Sequence, residues 1–211
     1  MMNTQRRRLA LIVLVVTAFS SLALGTQAAS AFSSDDSLFP FAYTLNASTH
    51  LKKLNQTITV PPGSFIGAID LDDATLQGAI KLPAAKFTFT LAGVGLVTAT
   101  AKIVPTKPVT GTIDFGVFPY AVVATATFNV RIVSAYAGIV PVNLVGNNCV
   151  TSTPVSVTMK TAATFSGPVA PFAGVYTLPP LKTCGTATAA LNLVIPGPGN
   201  TFTATATRMT G

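Results

Sequence analysis

In Phe202-Thr203-Ala204-Thr205-Ala206-Thr207 every second side chain is apolar and the ones between carry hydroxyls. The same period-two pattern returns in Thr57-Ile58-Thr59-Val60, Phe87-Thr88-Phe89-Thr90-Leu91 and Val97-Thr98-Ala99-Thr100-Ala101. Successive side chains of a strand point to opposite faces, so this pattern marks a strand with one face in a core and the other in water. Threonine suits the wet face, because its branched Cβ is stiff and its hydroxyl stays hydrated. The pattern predicts strands near 40–47, 54–60, 64–71, 75–82, 86–91, 96–104, 109–115, 121–133, 139–145, 154–160, 172–178 and 200–208.

Many short strands at even spacing imply an all-β fold. The expected architecture is an antiparallel β-sandwich, immunoglobulin-like or a related Greek key, with a barrel as the alternative. Asp70-Leu71-Asp72-Asp73-Ala74-Thr75 separates two alternating runs and reads as a hairpin turn, since Asp bonds to nearby backbone. Gly78-Ala79-Ile80-Lys81-Leu82-Pro83-Ala84-Ala85-Lys86 matches Gly174-Val175-Tyr176-Thr177-Leu178-Pro179-Pro180-Leu181-Lys182 at Gly, Leu, Pro and Lys, a weak internal repeat consistent with two related β-units.

The first 31 residues have a different logic. Arg6, Arg7 and Arg8 precede an apolar run from Leu9 to Ala18, and Ala29-Ser30-Ala31 supplies the small residues of a cleavage site. This reads as a secretory signal peptide over 1–31, removed on export, too short in its apolar part to span a bilayer. A single secreted β-domain over 32–211 is expected, keeping 180 of the 211 residues. The formal charge of +7 falls to +4 without the three arginines, and all the acids are Asp. The lysines are scattered along the chain and not interleaved with aromatics, which argues against nucleic acid as a partner.

Cys149 and Cys184 are the only cysteines. An even count in an oxidising compartment predicts a disulfide between them. A metal pair would need more ligands than one His and no Glu can supply, and the spacing is not that of a redox C-x-x-C pair. From Thr186, a candidate cap, Ala187, Ala190, Leu191 and Val194 recur at helical spacing, predicting one short helix near 186–195 that Pro196 ends. Gly197-Pro198-Gly199-Asn200 then turns into the last strand.

The run from Asn148-Cys149 through Tyr176-Thr177-Leu178-Pro179-Pro180 and Cys184-Gly185 to Leu191-Asn192-Leu193-Val194-Ile195-Pro196-Gly197-Pro198-Gly199-Asn200-Thr201-Phe202 resembles an uncharacterised group of secreted actinobacterial β-rich proteins. That resemblance implies a compartment and a lineage. It brings no activity and no functional residues.

Groups able to do chemistry are few. His50 is the sole imidazole and no Gly-x-Ser-x-Gly elbow exists, so no catalytic residue is assigned and no cofactor is expected. Asp70, Asp72 and Asp73 could converge on a calcium ion, although the loop lacks the glycine and terminal Glu of an EF-hand. The expected role is that of a non-catalytic secreted or cell-envelope protein acting through its surface, with a cell-wall or lipid ligand as the conceivable partner. The alternative is a carrier of lipid or another apolar ligand, its cavity lined by Phe65, Phe87, Phe89, Phe115, Phe118, Phe128 and Phe165. An envelope pore and an enzyme rank below both.

Overall fold

A computed structural model describes residues 37–138, 142–164 and 169–209. The expected signal peptide, Asp35, Asp36, Phe165 and the start of the strand placed at 139–145 lie outside the described residues.

The strands are β1 (Leu38–Leu51), β2 (Gln56–Asp70), β3 (Thr75–Lys81), β4 (Ala85–Leu91), β5 (Gly95–Pro105), β6 (Val109–Asp114), β7 (Tyr120–Ala137), β8 (Val150–Thr151), β9 (Val155–Ala163), β10 (Val169–Leu178), β11 (Leu181–Lys182) and β12 (Gly197–Arg208). A single helical turn, Gly185–Ala187, leads into the helix α1, Thr188–Val194. The fold is all-β, as the alternation requires.

The sandwich expectation does not hold. Antiparallel neighbours run β7-β6-β3-β2-β1-β12-β10-β9, and β9 pairs back onto β7 from Tyr120↔Ala163 to Phe128↔Val155, which closes an eight-stranded barrel. Alternation says which face is buried, and it reads the same in a sandwich and in a barrel; only the β7–β9 ladder distinguishes them.

β7 is long enough to serve two sheets. Its first half, up to Phe128, is in the barrel between β6 and β9. Its second half pairs with β5 on one edge and touches β8 at Arg131 on the other. β4-β5-β7-β8-β11 thus forms a second layer in which β4 packs against β2 and α1. The core runs through both parts, with Val97, Ala99, Ile132 and Ala135 in the second layer as deeply buried as Val155 and Val157 in the barrel.

Two predicted strands are one. Runs 54–60 and 64–71 join as β2 across Pro61-Pro62-Gly63, where the ladder with β1 slips between Ala47↔Val60 and Leu45↔Gly63. Prolines have no N–H to donate, so the extra residues bulge outward and the pairing resumes beyond them. Gly63 tolerates the resulting close approach, because a Cβ there would lie 2.3 Å from the Lys81 carbonyl oxygen.

The helix begins later than expected. Thr188, not Thr186, satisfies the entry: its Oγ1 accepts from the Cys184 N–H at 3.1 Å and donates to the Gly185 carbonyl at 2.8 Å. The end is where Pro196 demands it, with Val194 the last helical residue. Gly197–Asn200, expected as a turn, already belongs to β12, and Asn200 is buried there with its Oδ1 accepting from the Lys52 N–H.

The two matched nine-residue segments do the same job. Each leaves the barrel at its Leu-Pro step, Leu82-Pro83 from β3 towards β4 and Leu178-Pro179 from β10 towards β11. In each the leucine is buried and the proline cannot continue the ladder.

Candidate binding site

The strand pairing leaves a gap in the barrel wall beside β3. β3 pairs with β2 up to Lys81 but with β6 only along Thr75–Gly78. β5 pairs with β4 along Gly95–Ala101, while Lys102–Pro105 pair with β7 alone. β5 and β6 succeed one another along the same edge of β7, joined by Thr106-Lys107-Pro108, where the Thr106 N–H reaches the Thr127 carbonyl at 2.9 Å. The edges Ala79–Lys81 and Lys102–Pro105 therefore face each other unbridged. Pro83, Pro105 and Pro108 at the strand ends withhold the N–H groups that a bridging ladder would need.

A cleft of about 640 Å³ occupies the gap. Its floor is formed by Ile80, Leu82 and Ile103, with Leu82 buried, and its mouth carries the exposed side chains of Lys81 and Lys102. No carboxylate is among its lining residues. Beneath it the interior is packed with side chains. A void of about 20 Å³ is walled by Phe128, Met159 and Phe202, and a larger one of about 60 Å³ is lined by Thr49, Phe87 and Tyr176 among others. Ligand pockets typically run to about 300–1,000 Å³, a range that the cleft reaches and these internal voids do not.

Charge is sorted along the barrel. Asp70, Asp72 and Asp73 stand at the β2–β3 turn and Asp114 at the end of β6, neighbouring positions joined by the Ile113 N–H on the Ala74 carbonyl. Lys52 and Lys53 in the β1–β2 turn, Lys81 and Lys107 are at the opposite end, and Lys86, Lys102, Arg131 and Lys182 belong to the second layer beside it. Lys160 and Arg208 are the exceptions. Lysines scattered along the chain are thus gathered in space, and the cleft opens in their midst.

Tyr176 and Thr49 form the polar pair in the larger void, hydroxyl to hydroxyl at 2.7 Å. Burial pushes the Tyr176 hydroxyl above its ordinary value, and the Thr49 hydrogen bond offsets part of that. Up to about pH 10 folded and unfolded chains both keep the proton; above it the unfolded chain ionises first and folding loses stability. Tyr176→Phe is expected to cost about 1 kcal/mol at neutral pH, since Thr49 keeps its bond to the Thr201 carbonyl, and to flatten the loss of stability above about pH 10. Urea midpoints measured from pH 7 to 11 check both parts.

His50 is half-exposed at the end of β1, its Nδ1 3.2 Å from the Thr57 hydroxyl. Asp70 spends its Oδ1 on the backbone N–H groups of Asp72 and Asp73, at 3.0 and 3.2 Å, which makes the turn that its position implied. Among the described residues no group of three metal-ligating side chains is found. Phe65, Phe87, Phe89 and Phe128 point inward, but Phe115 and Phe118 are exposed. Both fall beyond the end of β6, in the segment before β7, where no strand alternation applies.

Cys149 and Cys184 are bonded and fully buried. They staple β8 to β11, two-residue strands whose corner is also held by Asn192: its Oδ1 accepts from the Leu181 N–H at 2.7 Å and its Nδ2 donates to the Leu181 carbonyl at 2.9 Å.

Lys81 and Lys102 were not singled out by sequence. Each is one of many exposed lysines at alternating positions, and no local motif announces that β3 and β5 part company between them.

No protein-family model, no curated protein and no solved structure matches the chain.

Proposed function

We propose that this is a non-catalytic secreted or cell-envelope β-protein that acts by binding through its surface, with the basic end around the β3–β5 cleft as the binding face. The observation that carries this reading is the cleft itself, a ligand-sized opening between two strand edges, flanked by lysines and remote from the Asp-rich end. The disulfide suits an oxidising compartment. No helix among the described residues is long and apolar enough to cross a membrane. The barrel faces also run opposite to those of a lipid-spanning barrel: on β12 Phe202, Ala204 and Ala206 point in while Thr201, Thr203 and Thr205 point out, where a membrane barrel needs an apolar band.

The test is retention on native envelope. Residues 32–211 mixed with washed envelopes of the producing cell should sediment with them at low salt and be released at about 0.5 M salt, where exposed charges are screened. His50→Ala should be retained as well as the parent. Failure to sediment at low salt, or envelope material chemically altered in a His50-dependent manner, would reject the proposal.

A further inference from the structure

The cleft combines two chemistries that single out a class of ligand. Its floor of Ile80, Leu82 and Ile103, walled by Pro62, Pro83 and Pro105, offers a mainly apolar surface, with Ser64 also in the lining. Lys81 and Lys102, from facing strand edges, line its mouth, and no carboxylate is among the described residues that line it. A neutral apolar ligand would leave the two like charges without a counter-charge, and a bare anion would leave the floor wet. An anionic head neutralises the first while an aliphatic tail covers the second.

We infer that the β3–β5 cleft takes a single-chain anionic amphiphile, its carboxylate or phosphate head between Lys81 and Lys102 and its aliphatic tail along Ile80, Leu82 and Ile103. This rests on the surface-binding reading and names its ligand. The site is a groove in the wall and not the barrel interior, whose voids of about 20 to 60 Å³ cannot admit a chain. Lysine suits a head group of either kind, because its ammonium is a mobile point charge that does not demand the planar geometry of a guanidinium fork.

Isothermal titration of residues 32–211 with dodecanoate, dodecyl phosphate, dodecanol and inorganic phosphate, each below its aggregation concentration, tests the inference. Dodecanoate and dodecyl phosphate should bind one to one, about tenfold or more tighter than dodecanol or inorganic phosphate. Lys81→Met with Lys102→Met should weaken the two charged amphiphiles by about tenfold and leave dodecanol unchanged. Both lysines are exposed, so the melting temperature of the double variant should equal that of the parent, which separates lost binding from lost folding. Dodecanol binding as tightly as dodecanoate, or an unchanged affinity in the double variant, would overturn the role of the lysines. Inorganic phosphate matching dodecyl phosphate would overturn the role of the floor. Absence of binding by either charged amphiphile, with retention on envelopes intact, overturns this inference alone and leaves the surface-binding reading in place.

Discussion

Replacing Phe202 by alanine should destabilise residues 32–211 by about 4 kcal/mol, the upper half of the range for losing a buried aromatic. Phe202 projects from β12 into the barrel, facing Thr49 on one side and Gly174 on the other in the ladder, and is 6% exposed. Its ring separates three of the small internal voids, being part of the lining of each. Truncation would merge them, and β12 cannot shift to fill the space, because it is paired with β1 on one edge and with β10 on the other. For a chain of this size the melting temperature should fall by roughly 8–16 °C. Urea denaturation of parent and variant measures the loss, and a loss below about 1 kcal/mol would mean that the barrel interior is far more yielding than its packing implies.

Loss of the disulfide is the second large effect. Replacing Cys149 and Cys184 by alanine removes a cross-link between residues 35 apart in sequence, worth about 3–4 kcal/mol on the chain-entropy argument. The damage should be uneven. In the ladders β8 pairs with β7 at Arg131 alone and β11 pairs with β8 alone, so that corner depends on the cross-link far more than the barrel does. Hydrogen exchange should therefore quicken around 144–151 and 181–194 while β1, β2 and β12 remain protected. An unchanged melting temperature together with unchanged exchange in that corner would show that Asn192 and the buried Leu181 hold it unaided.

These expectations depend on features legible to very different degrees in the chain. The strands were legible because burial of one face forces alternation, and alternation is local: β12, β4 and β9 can be read residue by residue from Thr, Ala, Val and Phe. The cysteine pairing followed from an even count and an expected oxidising compartment, and the helix end from Pro196. Local chemistry also foretold the Asp70 turn, where one carboxylate closes the hairpin on its own backbone.

What escaped were matters of partner choice. The two-residue strands β8 and β11 are too short to alternate, and β2 looked like two strands because Pro61-Pro62 breaks the pattern without breaking the ladder. Phe115 kept the parity of Val109 and Ile113 after their strand had ended, and Phe118 lay in the loop that follows. Lys81 and Lys102 became neighbours only because β3 leaves β6 after Gly78 while β5 leaves β4 before Lys102.

Side-chain parity along a strand is set by the geometry of the residue itself, so the ribbons, their wet and dry faces and their stops were written in the order of amino acids. Which ribbon lies beside which depends on hydrogen bonds between backbones that are chemically alike at every position. Closure of β9 onto β7, the division of β7 between two sheets and the opening beside β3 were therefore settled only in three dimensions, where the burial of all the dry faces at once leaves one arrangement of edges.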